Sequence, residues 1–205
     1  MPRPCAISPL TTERLILREP VVADMAAVWA IFGDPATCRH NPVGPLRDEA
    51  AAADLLWRWQ MHWVQHGFGL WAIADKANPD RVIGFGGLSW RAYGDTQRLN
   101  LGFRFAVDAW GKGLATELGE AALQVAFDVL GAEAVHGLVR PDHLASQRVL
   151  EKLGMQPDGE LQDFPWLPAS SLFKLGSETY AASHCQQSKP AGRLLASRQE
   201  SDQVA

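Results

Sequence analysis

The stretch Phe105-Ala106-Val107-Asp108-Ala109-Trp110-Gly111-Lys112-Gly113-Leu114-Ala115-Thr116-Glu117 holds the chain's most specific chemistry. An apolar, strand-like run passes through two alternate glycines into a segment of helical periodicity. A Gly-x-Gly turn between strand and helix bares backbone N–H groups at a helix N-terminus, where the macrodipole also favours an anion. Glycine suits such a turn because no Cβ keeps a bulky phosphate from the backbone. The pattern points to a phosphate or pyrophosphate cradle, with a Gly-rich turn that binds nothing as the plainer alternative. No Gly-x-x-x-x-Gly-Lys-Ser/Thr is present, which excludes a P-loop. Gly84-Phe85-Gly86-Gly87 lacks dinucleotide-fingerprint spacing and reads as a strand kept slim for packing.

Trp110-Gly111-Lys112-Gly113-Leu114-Ala115-Thr116-Glu117 resembles the acyl-CoA pyrophosphate loop of the GCN5-related N-acetyltransferases (GNAT), whose pattern is Gln/Arg-x-x-Gly-x-Gly/Ala. Trp110 in the first position is similar to the branch of Rim-type ribosomal-protein N-terminal acetyltransferases. Arg140-Pro141-Asp142-His143-Leu144-Ala145-Ser146-Gln147-Arg148-Val149-Leu150-Glu151-Lys152-Leu153-Gly154-Met155 resembles that family's Asn-x-x-Ser helix ending in Glu-Lys-Leu-Gly. Thr12-Glu13-Arg14-Leu15-Ile16-Leu17-Arg18 is similar to the branch's first strand. The three matches occur in family order and cover roughly residues 11 to 180.

The resemblance implies a reaction: acetyl-CoA as co-substrate, an amine acceptor, direct attack on the thioester, and no metal. It implies that Trp110, Gly111, Lys112, Gly113, Leu114, Ala115 and Thr116 line the pyrophosphate through backbone N–H groups, the Lys112 charge and the Thr116 hydroxyl. It implies an oxyanion donor among the backbone N–H groups of Phe105, Ala106 and Val107. Many relatives protonate the leaving thiolate with a tyrosine at the position of Leu150. The branch offers Ser146 instead, and Ser146, Leu150 and Leu153 share one helix face. A serine bonded to the backbone one turn earlier is the alternative for Ser146. His143 stands where the family has the Asn that contacts the pantetheine arm. Asn100 stands where the branch has an acidic residue in Glu-Leu-Gly-Tyr, so a base at that position is excluded. Glu117, Glu160 and Asp163 remain weak candidates for a base. These departures keep open a catalytically silent acyl-CoA-binding module. The acceptor is either a protein N-terminus or a small amine.

The elements must place these groups around one gap. Alternation predicts a strand over Arg14 to Arg18. Helices are expected over Ala23 to Phe32 and over Asp48 to Gln65, the latter carrying Ala52, Leu55, Leu56, Trp59 and Trp63 at helical spacing. Two strands, Gly69 to Asp75 and Arg81 to Trp90, are expected to flank an Asn78-Pro79-Asp80 turn. A strand over Gln97 to Val107 leads into the glycine loop and a long helix. A strand over Ala134 to Val139, a helix over Leu144 to Leu153, and strands over Met155 to Phe164 and Ser170 to Leu175 follow. The implied fold is α/β, a three-layer GNAT-like arrangement with a central mixed, mostly antiparallel sheet flanked by helices. Residues 1–10 form an N-terminal extension, 11–180 the acetyltransferase domain, and 181–205 a disordered tail.

The chain has 205 residues and a formal net charge of -4, without clustered basic residues, which argues against nucleic-acid binding. Cys5, Cys38 and Cys185 lack metal-ligand spacing and read as free thiols of a reducing compartment. No apolar run approaches the roughly 20 residues that span a bilayer, and the start lacks a signal peptide's apolar centre. A cytoplasmic monomer or homodimer without membrane attachment is expected. Most tryptophans are expected in the core, and His40, His62, His66, His136 and His184 at the surface or in loops.

Overall fold

The computed structural model describes residues 7–187. The first strand, Leu10–Thr11 (β1), and Leu15–Arg18 (β2) pair antiparallel, and β2 pairs in turn with Leu70–Asp75 (β3). Between β2 and β3 lie two helices, Met25–Phe32 (α1) and Glu49–His66 (α2). The α2 helix starts where the Asp48 carboxylate accepts the Ala51 amide, an N-cap. Strands Asn78–Tyr93 (β4) and Thr96–Phe105 (β5) form a long hairpin, and helix Leu114–Gln124 (α3) follows, continuing as a π turn over Val125–Val129. Strand Ala134–Val139 (β6), helix Leu144–Lys152 (α4), strands Gln156–Leu161 (β7) and Ser170–Gly176 (β8), and helix Ser177–Gln187 (α5) complete the chain.

The eight strands form one sheet in the order β1-β2-β3-β4-β5-β6-β8-β7. Among the described residues β5 and β6 make its one parallel pair. Helices cover both faces because the strands alternate two apolar sets. Trp71, Ile73, Leu101 and Phe105 join Leu114, Leu118 and Leu150 in one core, while Ala72 and Phe85 pack against Val28, Ile31, Ala52 and Leu56 of α1 and α2 in another. The slimness of β4 has a direct cause: a Cβ on Gly86 would stand 2.6 Å from the Leu118 side chain. The α3 helix can approach the sheet only because that carbon is missing.

Several boundaries differ from expectation. The β3–β4 turn falls at Lys76 and Ala77, and Asn78-Pro79-Asp80 already belongs to β4, where the register shifts near Ala74 and Asp75. The strand expected to reach Val107 ends at Phe105, because Val107–Ala109 winds into a 3-10 turn. The domain end expected at 180 lies inside α5, whose Tyr180 stacks on Phe127 with centroids 4.5 Å apart. The remainder of the expected tail lies outside the described residues. The expected extension also contributes to the core: Ile7 is buried and its carbonyl accepts the Trp71 indole N–H at 3.0 Å. Trp63 and Trp71 are buried as expected, whereas Trp57 and Trp90 are exposed.

Candidate active site

The site begins where the sheet comes apart. β5 pairs with β6 through Asn100 opposite His136, and no ladder joins the two strands from Leu101 onward among the described residues. Register decides which backbone groups face the resulting gap. The Ala106 amide donates to the Ile83 carbonyl at 2.9 Å, which removes Ala106 from the three candidate oxyanion donors. Phe105, opposite Gly84, lies between ladder bonds, so its N–H and C=O project from the far edge of β5. The Trp110 indole takes that carbonyl at 3.0 Å. Val107 has left the strand and opens the 3-10 turn. Of the three, the Phe105 amide is the one that the strand leaves on the edge facing the gap.

Beyond the gap, the glycine loop adopts the backbone that its sequence demands. Gly111 and Gly113 have φ of 73° and 77°, a left-handed conformation that side-chain-bearing residues rarely adopt. Gly113 is the N-cap of α3 and offers no capping side chain. The first-turn amides of Leu114 and Ala115 are thus left without the partner that a Ser or Asp cap would supply. The Thr116 amide is turned inward to the Gly113 carbonyl at 3.1 Å. Lys112 is exposed, and Thr116 is half-buried near the helix start.

A clasp that the sequence did not announce fixes this loop. The Arg14 guanidinium donates to the Lys112 carbonyl (2.8 Å), and its Nε donates to Glu117 (2.7 Å). The Arg14 amide and the Thr12 hydroxyl also donate to Glu117, at 2.7 and 2.5 Å. Burial works against the Glu117 carboxylate, yet these donors outweigh it and hold its pKa below the usual range. Glu117 is therefore a structural anchor, not a base. Thr12 and Arg14 matched the branch's first strand by sequence, but nothing in the sequence paired them with Glu117, more than a hundred residues away.

On the opposite side of the gap, α4 begins at His143, its N-cap. Ser146 lies one turn in and is half-buried. Its amide donates to the His143 carbonyl at 3.1 Å, and among the described residues its hydroxyl makes no bond to the preceding turn. Leu150 is buried, filling the space beside Gly137. The His143 ring packs on His40 of the α1–α2 loop, centroids 4.1 Å apart. The nearest His40 nitrogen is 3.2 Å from the Asp142 carboxylate, close enough for an ion pair but not aligned as a hydrogen bond. Burial, then the charges of His40 and Arg104, lower the His143 pKa, with Asp142 opposing. The ring is accordingly neutral near pH 7, able to donate and to accept.

Below the gap sits a buried polar group that sequence reasoning missed. The Tyr93 hydroxyl donates to the Asn100 side-chain oxygen at 2.5 Å, and the His136 ring lies 6.1 Å from Tyr93. All three residues are buried, so His136 is no surface histidine. Burial pushes the Tyr93 pKa up to about 12, against Arg91 and Arg98. Burial and then Arg98 lower that of His136, while Asp158 and the Leu99 carbonyl oppose them. Its Nδ1 is buried without an aligned partner. Asp163, a weak candidate for a base, is occupied with Arg140 (3.2 Å) and Ser170 (3.0 Å). Glu160 is exposed on β7.

A model of the acetyltransferase (GNAT) domain matches residues 14–156. The chain belongs to the GNAT family. The acetyltransferase is 25% identical over 157 residues to the uncharacterized N-acetyltransferase YoaA of Bacillus subtilis, covering 76% of this chain and 86% of that one. The crystal structure of an acetyltransferase from Agrobacterium tumefaciens matches it with a TM-score of 0.69 at 24% identity, over 83% of this chain and 95% of that one. The spermidine N-acetyltransferase of Vibrio cholerae, solved with CoA and spermine, matches with a TM-score of 0.67 at 16% identity, over 81% and 97%. The eight-stranded mixed sheet, opened between β5 and β6 and flanked by helices, is thus the scaffold of an acetyl-CoA-dependent acetyltransferase.

Proposed function

We propose that the protein transfers the acetyl group of acetyl-CoA to a primary amine by direct attack, with a protein N-terminus or a small amine as acceptor. The observation that carries this reading is the opening between β5 and β6, flanked by a left-handed glycine turn on one side and the start of α4 on the other. The loop suits a pyrophosphate: two glycines hold left-handed φ and the first turn of α3 has no side-chain cap. Trp110, Gly111, Lys112, Gly113, Leu114, Ala115 and Thr116 would line it, and His143 would meet the pantetheine arm. Acetyl-CoA supplies the activated acyl group. The new N–C bond forms as the C–S bond breaks; the amine gives up one proton and the departing thiolate takes one.

This chain's own groups divide the work. The Phe105 amide holds the developing oxyanion, a contribution typically worth ~3 to 4 kcal/mol of barrier. Ser146 donates to the leaving sulfur. Arg14 and Glu117 keep the loop in place. The Trp in the first loop position and the serine of α4 favour the Rim-type branch, and the free thiol of Cys38 favours a reducing, cytoplasmic compartment. Thiol release from acetyl-CoA, followed across a panel of primary amines and N-terminal peptides, tests the reading. Release that depends on an amine is expected. Binding of acetyl-CoA without release for any acceptor would reduce the protein to a silent acyl-CoA-binding module.

A further inference from the structure

On the α1 face of the sheet stands a cation with no carboxylate beside it among the described residues. Arg104 pairs with Phe85 across the β4–β5 ladder, and its side chain leaves the sheet on the face away from α3. There its guanidinium lies over the Phe32 ring of α1, 4.5 Å from the centroid, and Nη1 donates to the Cys38 thiol at 2.8 Å. Ion pairs among the described residues engage Arg14, Arg18, Arg81, Arg98 and Arg140, and none reaches Arg104. Nε and Nη2 have no acceptor among the described residues. Burial lowers the Arg104 pKa, with the Cys38 sulfur opposing it.

Such a charge is costly, and an apolar residue against Phe32 would avoid the cost. Its position gives the reason to keep it. Arg104 follows Asn100 and Gly102 at every second residue of β5, on the face that runs along the opening left by β6. From across that opening, the Arg104 charge acts on His143. One guanidinium edge is fixed by the thiol and one face by the aromatic ring, so the group is held in a single orientation before any ligand arrives. A planar fork fixed in this way matches a carboxylate, which carries the single charge that Arg104 lacks.

We propose that Arg104 binds a carboxylate of the acceptor, so that the preferred substrates are amines bearing a carboxylate near the reacting nitrogen. This proposal rests on the reading of the protein as an amine acetyltransferase. The carboxylate can be the α-carboxylate of a free amino acid or the side chain of an N-terminal Asp or Glu in a peptide.

Matched acceptors test it: free amino acids, their α-amides, and peptides beginning with Asp or Asn. The carboxylate-bearing member of the favoured pair is expected to exceed its neutral partner in kcat/KM by about 10²-fold, chiefly through KM. Arg104→Gln should bring that ratio to about one while turnover of the neutral amine persists, and Arg104→Lys should retain part of the preference. Preference for the neutral partner, or equal losses on both members in Arg104→Gln, would overturn the proposal. Binding of the N-acetylated products in the presence of CoA, followed by thermal shift, needs no turnover. Carboxylate products should stabilise the parent and not Arg104→Gln; indifference in both proteins overturns the role of Arg104. Failure to acetylate any amine, alongside intact product binding at Arg104, would instead count against the transferase reading.

Discussion

At the scale of single residues, Ser146 and His136 carry separate predictions, one for turnover and one for stability. Ser146 has a half-buried hydroxyl without an intrahelical partner, as a donor to developing negative charge requires. Ser146→Ala should lower kcat by ~10²- to 10⁴-fold while acetyl-CoA affinity stays within a few-fold; steady-state kinetics beside calorimetry separates the two effects. Unchanged kcat would leave Ser146 a packing residue. His136 makes a different prediction. Its pKa is lowered by burial, Arg98 and Lys174 against Asp158 and the Leu99 carbonyl, and the Tyr93 ring lies 6.1 Å away. In this window the unfolded chain binds more protons than the folded one, so stability rises with pH. The His136 contribution is complete above the ordinary imidazole value of about 6.5 and is lost as pH falls toward the lowered folded value. Melting temperature should therefore drop between pH 7 and 5, and His136→Asn should flatten that slope whatever it does to stability at pH 7.

At the scale of elements, the glycine loop depends on backbone conformation more than on space. Gly113 holds φ at 77°, and a Cβ there would meet nothing closer than Arg14 at 3.6 Å. Gly113→Val should thus fold with a strain of roughly 1 to 3 kcal/mol and lose at least tenfold in acetyl-CoA affinity by calorimetry. Gly131→Val is the control: its φ of 63° is equally left-handed, but it follows the end of α3, away from the loop. It should lower stability and leave affinity unchanged. Equal affinities in the two variants would remove the cradle.

At the scale of the whole molecule, the C-terminal helix packs on the main core through Tyr180. Tyr180 is buried, stacks on Phe127 at 4.5 Å and carries His184 on its other contact at 4.0 Å. This contact ties α5 to the π turn that follows α3, well removed in sequence from the loop. Tyr180→Ala should cost about 3 to 5 kcal/mol, in the range of large aromatic truncations, read as a fall in Tm of roughly 6 to 20 °C. Acetyl-CoA affinity should remain near that of the parent. A variant with unchanged Tm would place the end of the cooperative unit before α5.

Local signals determined much of this protein by themselves. Two glycines in alternate positions, the helical spacing of Ala52, Leu56 and Trp63, and the alternation of Leu15 and Leu17 are each written within one element. The backbone needs only its neighbours to act on them. The element order and the passage from strand through a glycine turn into a helix therefore agreed with the structure. Tertiary structure alone decided what depends on partners distant in sequence. It turned the Ala106 amide into the β4 ladder and the Phe105 amide away from it, bound Glu117 to Thr12 and Arg14, and buried His136 beside Tyr93 and Asn100. It also left Arg104 facing Cys38 and Phe32 with no carboxylate among the described residues. Register and charge pairing are properties of two strands or two side chains at once, so one segment read alone cannot hold them.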